Sequence, residues 1–172
     1  MVAKPESAAA RELGRLLGRS IQNARILARG GDPLHLEVIG VDAALTEFCL
    51  NTEDLFRIDC VFHREVWPAR LETHLEIHLF RIAQQAVNNA ITHGRAKSIG
   101  ITLGFSKGRG TMSVEDDGVG IGEGLHSHDG IGLHTMAYRA RLMGASLELE
   151  RRSPHGTVVT CEFPLNIPTP ES

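Results

Sequence analysis

The feature that most constrains this chain is one long helical pattern over residues 72–93. Leu75, Leu79, Ile82, Ala83, Ala86, Val87, Ala90 and Ile91 recur at helical spacing and form a single apolar stripe. The last turns of that helix carry something else. Gln85, Asn89 and His93 stand four residues apart, so they climb one flank and drift only about 40° per step. Asn88 sets another carboxamide beside them. A buried amide left unpaired costs about 1–3 kcal/mol, so this flank is either solvated surface or one wall of a site.

The rest of the pattern predicts what covers the stripe. Phe56, Ile58, Cys60 and Phe62 alternate over 56–63, and Ile99, Ile101, Leu103 and Phe105 alternate as a second strand. Lys107-Gly108-Arg109-Gly110 reads as a hairpin turn, with Met112 and Val114 starting the returning strand. Residues 117–132 are too rich in glycine and polar side chains for a packed element. A helix follows from about Leu133 to Met143 and stops at Gly144. Strands over about 146–151 and 157–163 flank a second hairpin, Ser153-Pro154-His155-Gly156. Upstream, a helix is predicted over about Gly40–Thr52, and a helical lead-in over about Ala9–Arg29 that ends at Gly30-Gly31-Asp32-Pro33. There is no internal repeat. Hairpin-linked strands beside a few helices predict an α+β fold: a mixed or antiparallel sheet with helices layered on one face, preceded by an N-terminal helix.

The chain has 172 residues, about one domain, and such a length buries roughly two-thirds of its unfolded surface without disulfide or metal. The expected organisation is a helical segment over 1–33, one domain over 34–164 and a proline-rich tail over 165–172. Lys and Arg number 18 against 21 Asp and Glu, a net charge of −3, which disfavours a nucleic-acid partner held by bulk positive charge. Cys49, Cys60 and Cys161 form no CxxC pair and read as reduced core thiols. No apolar run approaches the length of a membrane span, and the first residues lack a signal peptide's apolar stretch. The expectation is a cytosolic chain, or the cytosolic part of a larger sensor protein, with no membrane contact by this segment.

Two glycine-bearing segments complete the chemistry. Glu115-Asp116-Asp117-Gly118-Val119-Gly120-Ile121 delivers a carboxylate from a strand into a turn whose glycines let a ligand ring lie against the backbone. A carboxylate only accepts hydrogen bonds, so Asp116 suits the exocyclic amine of adenine. Gly130-Ile131-Gly132-Leu133 opens a helix, where bare N–H groups and the positive dipole end suit a phosphate. Either segment alone is compatible with a plain loop.

Together and in this order they resemble the catalytic ATP-binding domain of sensor histidine kinases, within the GHKL (Bergerat-fold) ATPases. Gln85–His93 is similar to that family's N box, Asp116–Gly120 to its G1 box, and Gly130–Leu133 to its G2 box. Gly156-Thr157-Val158-Val159 resembles its terminal strand. The ending Asn89-Ala90-Ile91-Thr92-His93 and the short lid resemble the NarX/DesK-like branch, and the match runs from about Leu75 to Pro164. The resemblance implies a two-layer α/β sandwich of the Bergerat type with a mostly antiparallel sheet. It implies ATP and Mg²⁺ as cofactors. Asn89 matches the magnesium-binding asparagine, and His93 would lie by the phosphates. Asp116 matches the adenine-reading aspartate, and Thr157 the hydroxyl supporting it through water. Gly118, Gly120, Gly130 and Gly132 match the glycines that flank the nucleotide and hinge the lid, with Ile121 and Leu133 adding apolar contact at the base. The implied partners are a histidine-bearing hairpin of the parent kinase and a response-regulator receiver domain.

Two positions depart from the family pattern. Gln85 stands where many relatives have glutamate, and Gln cannot accept a proton, so general-base help from that position is lost. Phosphoryl transfer depends above all on positioning and electrostatics, which orientation and magnesium can still supply, so the change bears on activity and not on binding. Ala10-Arg11-Glu12-Leu13-Gly14 has the outline of a phosphoacceptor box with glycine in place of histidine, whereas Ile21–Gly30 with Pro33 resembles the end of the second hairpin helix. The expectation is a kinase domain that does not autophosphorylate alone. A catalytically silent nucleotide-binding module and an anti-sigma-type GHKL serine kinase are the alternatives. His126, His128 and Asp129 read as a solvated loop, His74 and His78 as surface histidines, and Arg139, Arg141, Arg151 and Arg152 as solvated arginines.

Overall fold

A computed structural model describes residues 33–65, 71–121 and 131–165 of the chain. The lead-in helix, Pro68, the pair His126 and His128 with Asp129, Gly130 and the tail beyond Leu165 lie outside the described residues. The elements are α1 (Pro33–Phe56), β1 (Asp59–Arg64), α2 (Thr73–Asn89) continued by a π-helical turn (Ala90–Gly94), β2 (Ser98–Ser106), β3 (Arg109–Asp116), α3 (Ile131–Leu142), β4 (Ser146–Arg151) and β5 (Thr157–Pro164).

The five strands form one sheet in the order β1-β2-β3-β5-β4, with β1 parallel to β2 and every other pair antiparallel. The register explains why only one face is covered. Ile101 pairs with Val114 and Leu103 with Met112; Met112 and Val114 in turn face Cys161 and Val159, which face Leu147 and Leu149. Because side chains alternate along a strand, this register collects the apolar set on one side. Thr102, Ser113, Glu115, Thr160, Glu148 and Glu150 fall on the other.

The three helices among the described residues lie against the apolar face, giving a two-layer α+β sandwich. The α2 helix sits centrally, packed by α1 on one side and α3 on the other. Its stripe supplies Leu79, Phe80, Ile82, Ala83, Ala86 and Val87, all buried. Phe80 meets Phe48 of α1 edge to face, with centroids 5.7 Å apart. Burying the side chains of this size contributes about 1.5–3 kcal/mol each. Among the described residues no helix is long and apolar enough to cross a membrane.

The strand after the hairpin begins at Arg109, within the segment expected as a turn, because only Lys107 and Gly108 make the turn. The larger differences from the sequence pattern lie around α1 and at the end of α2, each for a local reason. The helix expected from Gly40 is preceded by a short helical segment from Pro33, and Gly40 is the break between the two, with φ 81 and ψ 163. Proline fits a first helical turn because its missing N–H is not needed there. At its other end α1 runs past Thr52 to Phe56 and closes on Arg57, a non-glycine residue at φ 56, so β1 begins at Asp59 and Phe56 is still helical. The long helix, expected as one α-helix to residue 93, changes to π-helical hydrogen bonding at Ala90 and closes on Arg95 at φ 54.

Candidate functional site

A cavity of about 540 Å³ opens between the end of α2, the turn after β3, the first turn of α3, and strands β4 and β5. That size lies within the range of small-molecule sites. The apolar stripe of α2 is committed to the sheet, so the neighbouring flank is left to line the cavity. Gln85, Asn88, Asn89 and His93 do so, with the small Ala86 and Ala90 between them. Gln85 Nε2 donates to Asn89 Oδ1 at 3.0 Å. These two amides therefore satisfy part of each other's hydrogen-bonding need within the wall.

The π-helical turn sets the floor. Its last residue, Gly94, is buried, and its carbonyl accepts the N–H of Val119 at 2.9 Å. This bond ties the end of α2 to the turn after β3. Gly118 packs so closely on that carbonyl that a side chain on it would overlap Gly94 backbone. Asp116, 6% exposed, ends β3 inside the cavity, and its Oδ1 accepts the Gly118 N–H at 2.8 Å. Its second carboxylate oxygen carries the acceptor capacity that an incoming amine would use. The adjacent Asp117 has a different job: its Oδ1 accepts the N–H groups of Lys97 at 2.7 Å and Ser98 at 2.9 Å. Those bonds, that of Ser98 first, hold the Asp117 carboxyl below its ordinary value, with burial opposing.

The remaining wall comes from β4 and β5. Thr157, Val159 and Leu149 line the cavity from the apolar side of the sheet, and Gly120 with Ile121 and Gly132 with Leu133 line it from the two ends of the glycine-rich segment. Gly156 (φ +108) sits so close to the Asp116 carbonyl that any Cβ would overlap it.

Of the residues singled out from the sequence, Gln85, Asn89, His93, Asp116 and Thr157 thus border one cavity, together with Gly120, Ile121, Gly132 and Leu133. Gly118 lies behind Asp116 and does not line it. Gly130 lies outside the described residues. Ala86, Ala90, Gly94, Ile131, Leu149 and Val159 also border the cavity, beyond the residues that the motifs identify. For Leu149 and Val159 the signal was present, since both belong to the inward-facing alternation of their strands. Gly94 had no readable signal, because its placement depends on the π-helical turn.

The donor set fits a magnesium–nucleotide ligand. A buried carboxylate on an otherwise apolar wall suits a heteroaromatic base, and the carboxamide oxygen of Asn89 is a hard donor of the kind magnesium takes singly while keeping water and phosphate as its other ligands. Among the described residues, no group of three or more His, Cys, Asp or Glu side chains is placed to hold a metal ion by itself. Elsewhere, exposed His74 places Nδ1 3.2 Å from the Glu72 carboxylate, whereas His78 is half-buried, and burial, then Arg139 and His74, push its pKa below the ordinary value. Exposed Arg152 lies 3.6 Å from Glu115.

Comparison with known proteins agrees in extent and kind. Residues 74–167 match the family described as histidine kinase-, DNA gyrase B-, and HSP90-like ATPase. The oxygen sensor histidine kinase NreB of Staphylococcus carnosus is 26% identical over 151 residues, covering 87% of this chain and 44% of NreB. The sensor histidine kinase MctS of Rhizobium johnstonii is 30% identical over 152 residues, covering 86% of this chain and 32% of MctS. The chain therefore spans less than half the length of these curated relatives. Among solved structures, the histidine kinase domain of the Erythrobacter litoralis EL346 blue-light activated histidine kinase superposes with a TM-score of 0.60 at 20% identity, covering 73% of this chain and 61% of that one.

Proposed function

The chain belongs to the histidine kinase-, DNA gyrase B- and HSP90-like ATPase family as a histidine kinase-type catalytic domain, and from that membership we propose that it binds Mg-ATP and presents the γ-phosphate to a histidine on a helical hairpin of its parent sensor kinase. From there the phosphate passes to an aspartate on a response-regulator receiver domain. The observation that carries this reading is the cavity itself, which sets Asn89 and His93 on one wall and Asp116 with Thr157 on another.

In this reading Asp116 accepts the exocyclic amine of adenine with the oxygen that Gly118 leaves available, and Thr157 supports it from the neighbouring strand. Leu149, Val159, Ile121 and Leu133 exclude water from the base. Asn89 holds the divalent ion through its carboxamide oxygen, and His93 lies near the phosphates. Magnesium, when bound, neutralises phosphate charge and orients the transferred group. Gln85 accepts no proton, so the attacking histidine loses its own proton without help from that side chain.

Gln85, which accepts no proton, also favours a second reading, a nucleotide-binding module that signals without transferring phosphate. One experiment separates the two. The chain is incubated with γ-labelled ATP, alone and with a separately supplied hairpin carrying the acceptor histidine from a related kinase. Acid-labile labelling of the hairpin supports the kinase. Micromolar ATP binding with no labelling of any hairpin supports the silent module, and no ATP binding at all defeats both.

A further inference from the structure

We propose that Gln85 is a positioning residue, one that couples the first turn of α3 to the carbonyl oxygen of Asn89, so that magnesium-dependent nucleotide affinity follows the seating of that helix. The inference rests on the reading above, in which Asn89 Oδ1 takes the ion.

The geometry involves three residues. Gln85 Nε2 donates to Asn89 Oδ1 at 3.0 Å. A carboxamide oxygen has two lone pairs, so one remains for a cation while the other is engaged. With Gln85 presenting Nε2, the Asn89 amide must turn its oxygen toward it, because its own N–H group there would meet another N–H group. A carboxylate at position 85 has no hydrogen to give and would favour the opposite orientation. The amide thus does something its acidic counterpart cannot.

Gly132 is the third residue. It lies in the first turn of α3, and a Cβ built on it would stand 2.7 Å from Gln85 Nε2, 3.2 Å from Gln85 Cδ and 3.4 Å from Asn89 Oδ1. The first turn of α3 therefore faces the amide pair with no room between them for even a methyl group, and all three residues border the same cavity. The nearest atom is the tip of a flexible side chain. A methyl group at 132 is accommodated by moving Gln85 and leaves the fold intact, so α3 reports its position to Asn89 through the Gln85 amide.

The test is a double-mutant cycle on the full chain: wild type, Gln85→Met, Gly132→Ala and the pair. ADP affinity is measured by calorimetry in excess magnesium and again in EDTA, with thermal unfolding midpoints alongside. Each single variant should weaken ADP binding about fivefold or more in magnesium, the scale of one lost hydrogen bond, and change it by less than about twofold in EDTA. The pair should be no weaker than either single variant, since both remove one contact. Gly132→Ala should unfold at the wild-type temperature or above, because alanine is the better helix former. Equal losses with and without magnesium, additive losses in the pair, or unchanged affinity in either single variant would overturn the inference while leaving the nucleotide reading in place. A wild-type chain that takes up no ADP in either buffer overturns the nucleotide reading and this inference with it.

Discussion

Asp117 and Ser98 hold each other twice: the Ser98 N–H donates to Asp117 Oδ1 at 2.9 Å, and the Asp117 N–H donates to the Ser98 carbonyl at 3.2 Å. This reciprocal pair joins the first residue of β2 to the residue that follows β3. It thereby fixes the exit of β3 where Asp116 must present its carboxylate. The neighbouring aspartates divide the work, one holding the turn and the other facing the cavity.

The lowered pKa of Asp117 has a defined consequence for stability. Its folded value lies below the ordinary 3.8, so its contribution is present above 3.8 and is lost as pH falls through the folded value. Asp117→Asn should cost about 1 kcal/mol or less at pH 7, since the group lies near solvent and is screened. Thermal unfolding followed by circular dichroism at pH 7, 5, 4 and 3 should show the gap from wild type closing below pH about 4. A gap that stays constant across that range would show that the charge contributes nothing.

Asp116→Asn isolates the charge of the cavity carboxylate, because asparagine Oδ1 can still accept the Gly118 N–H. A lost hydrogen bond to a charged group is worth about 1.5–3 kcal/mol, which corresponds to roughly ten- to a hundredfold in ATP affinity. Calorimetry with ATP and magnesium reads this directly, and the unfolding midpoint should move by only a few degrees. An affinity within twofold of wild type would remove Asp116 from the base-reading role.

Gly156→Ala acts on the fold and the site together. Its φ of +108 is strained for alanine, and the new Cβ would run into the Asp116 carbonyl. Backbone does not move aside as a flexible side chain does, so a loss above about 2 kcal/mol is expected in urea denaturation. Any folded remainder should bind ATP more weakly, because relief of the overlap displaces Asp116.

The three thiols are all buried. Burial pushes the Cys161 thiol up to about 12, and Cys49 is pushed up by its hydrogen bond with Cys60 and by burial. Thiolate is the reactive form, so the native chain at pH 8 should titrate with Ellman's reagent only slowly. All three cysteines should react promptly in guanidinium. Fast reaction of the native chain would contradict the core packing around α1, β1 and β5.

The sequence by itself determined the two-layer arrangement and most of its elements, because hydrophobic periodicity reports burial directly: the 3.6-residue stripe of Leu79 to Val87 and the two-residue alternation of Ile99 to Leu103 need no partner to be read. It also marked the residues that border the cavity from the helix flank and the aspartate–glycine turn. Local chemistry without a glycine or proline signal stayed hidden, as in the left-handed Arg57 that ends α1 and the left-handed Arg95 that closes the π-helical turn. The tertiary structure alone decided what touches what. The approach of Gly132 to the Gln85–Asn89 pair, the pairing of Asp117 with Ser98, and the closing of the cavity by Leu149 and Val159 all depend on strand register and helix seating. Such contacts join residues far apart in sequence, and pattern along the chain carries no information about their distance in space.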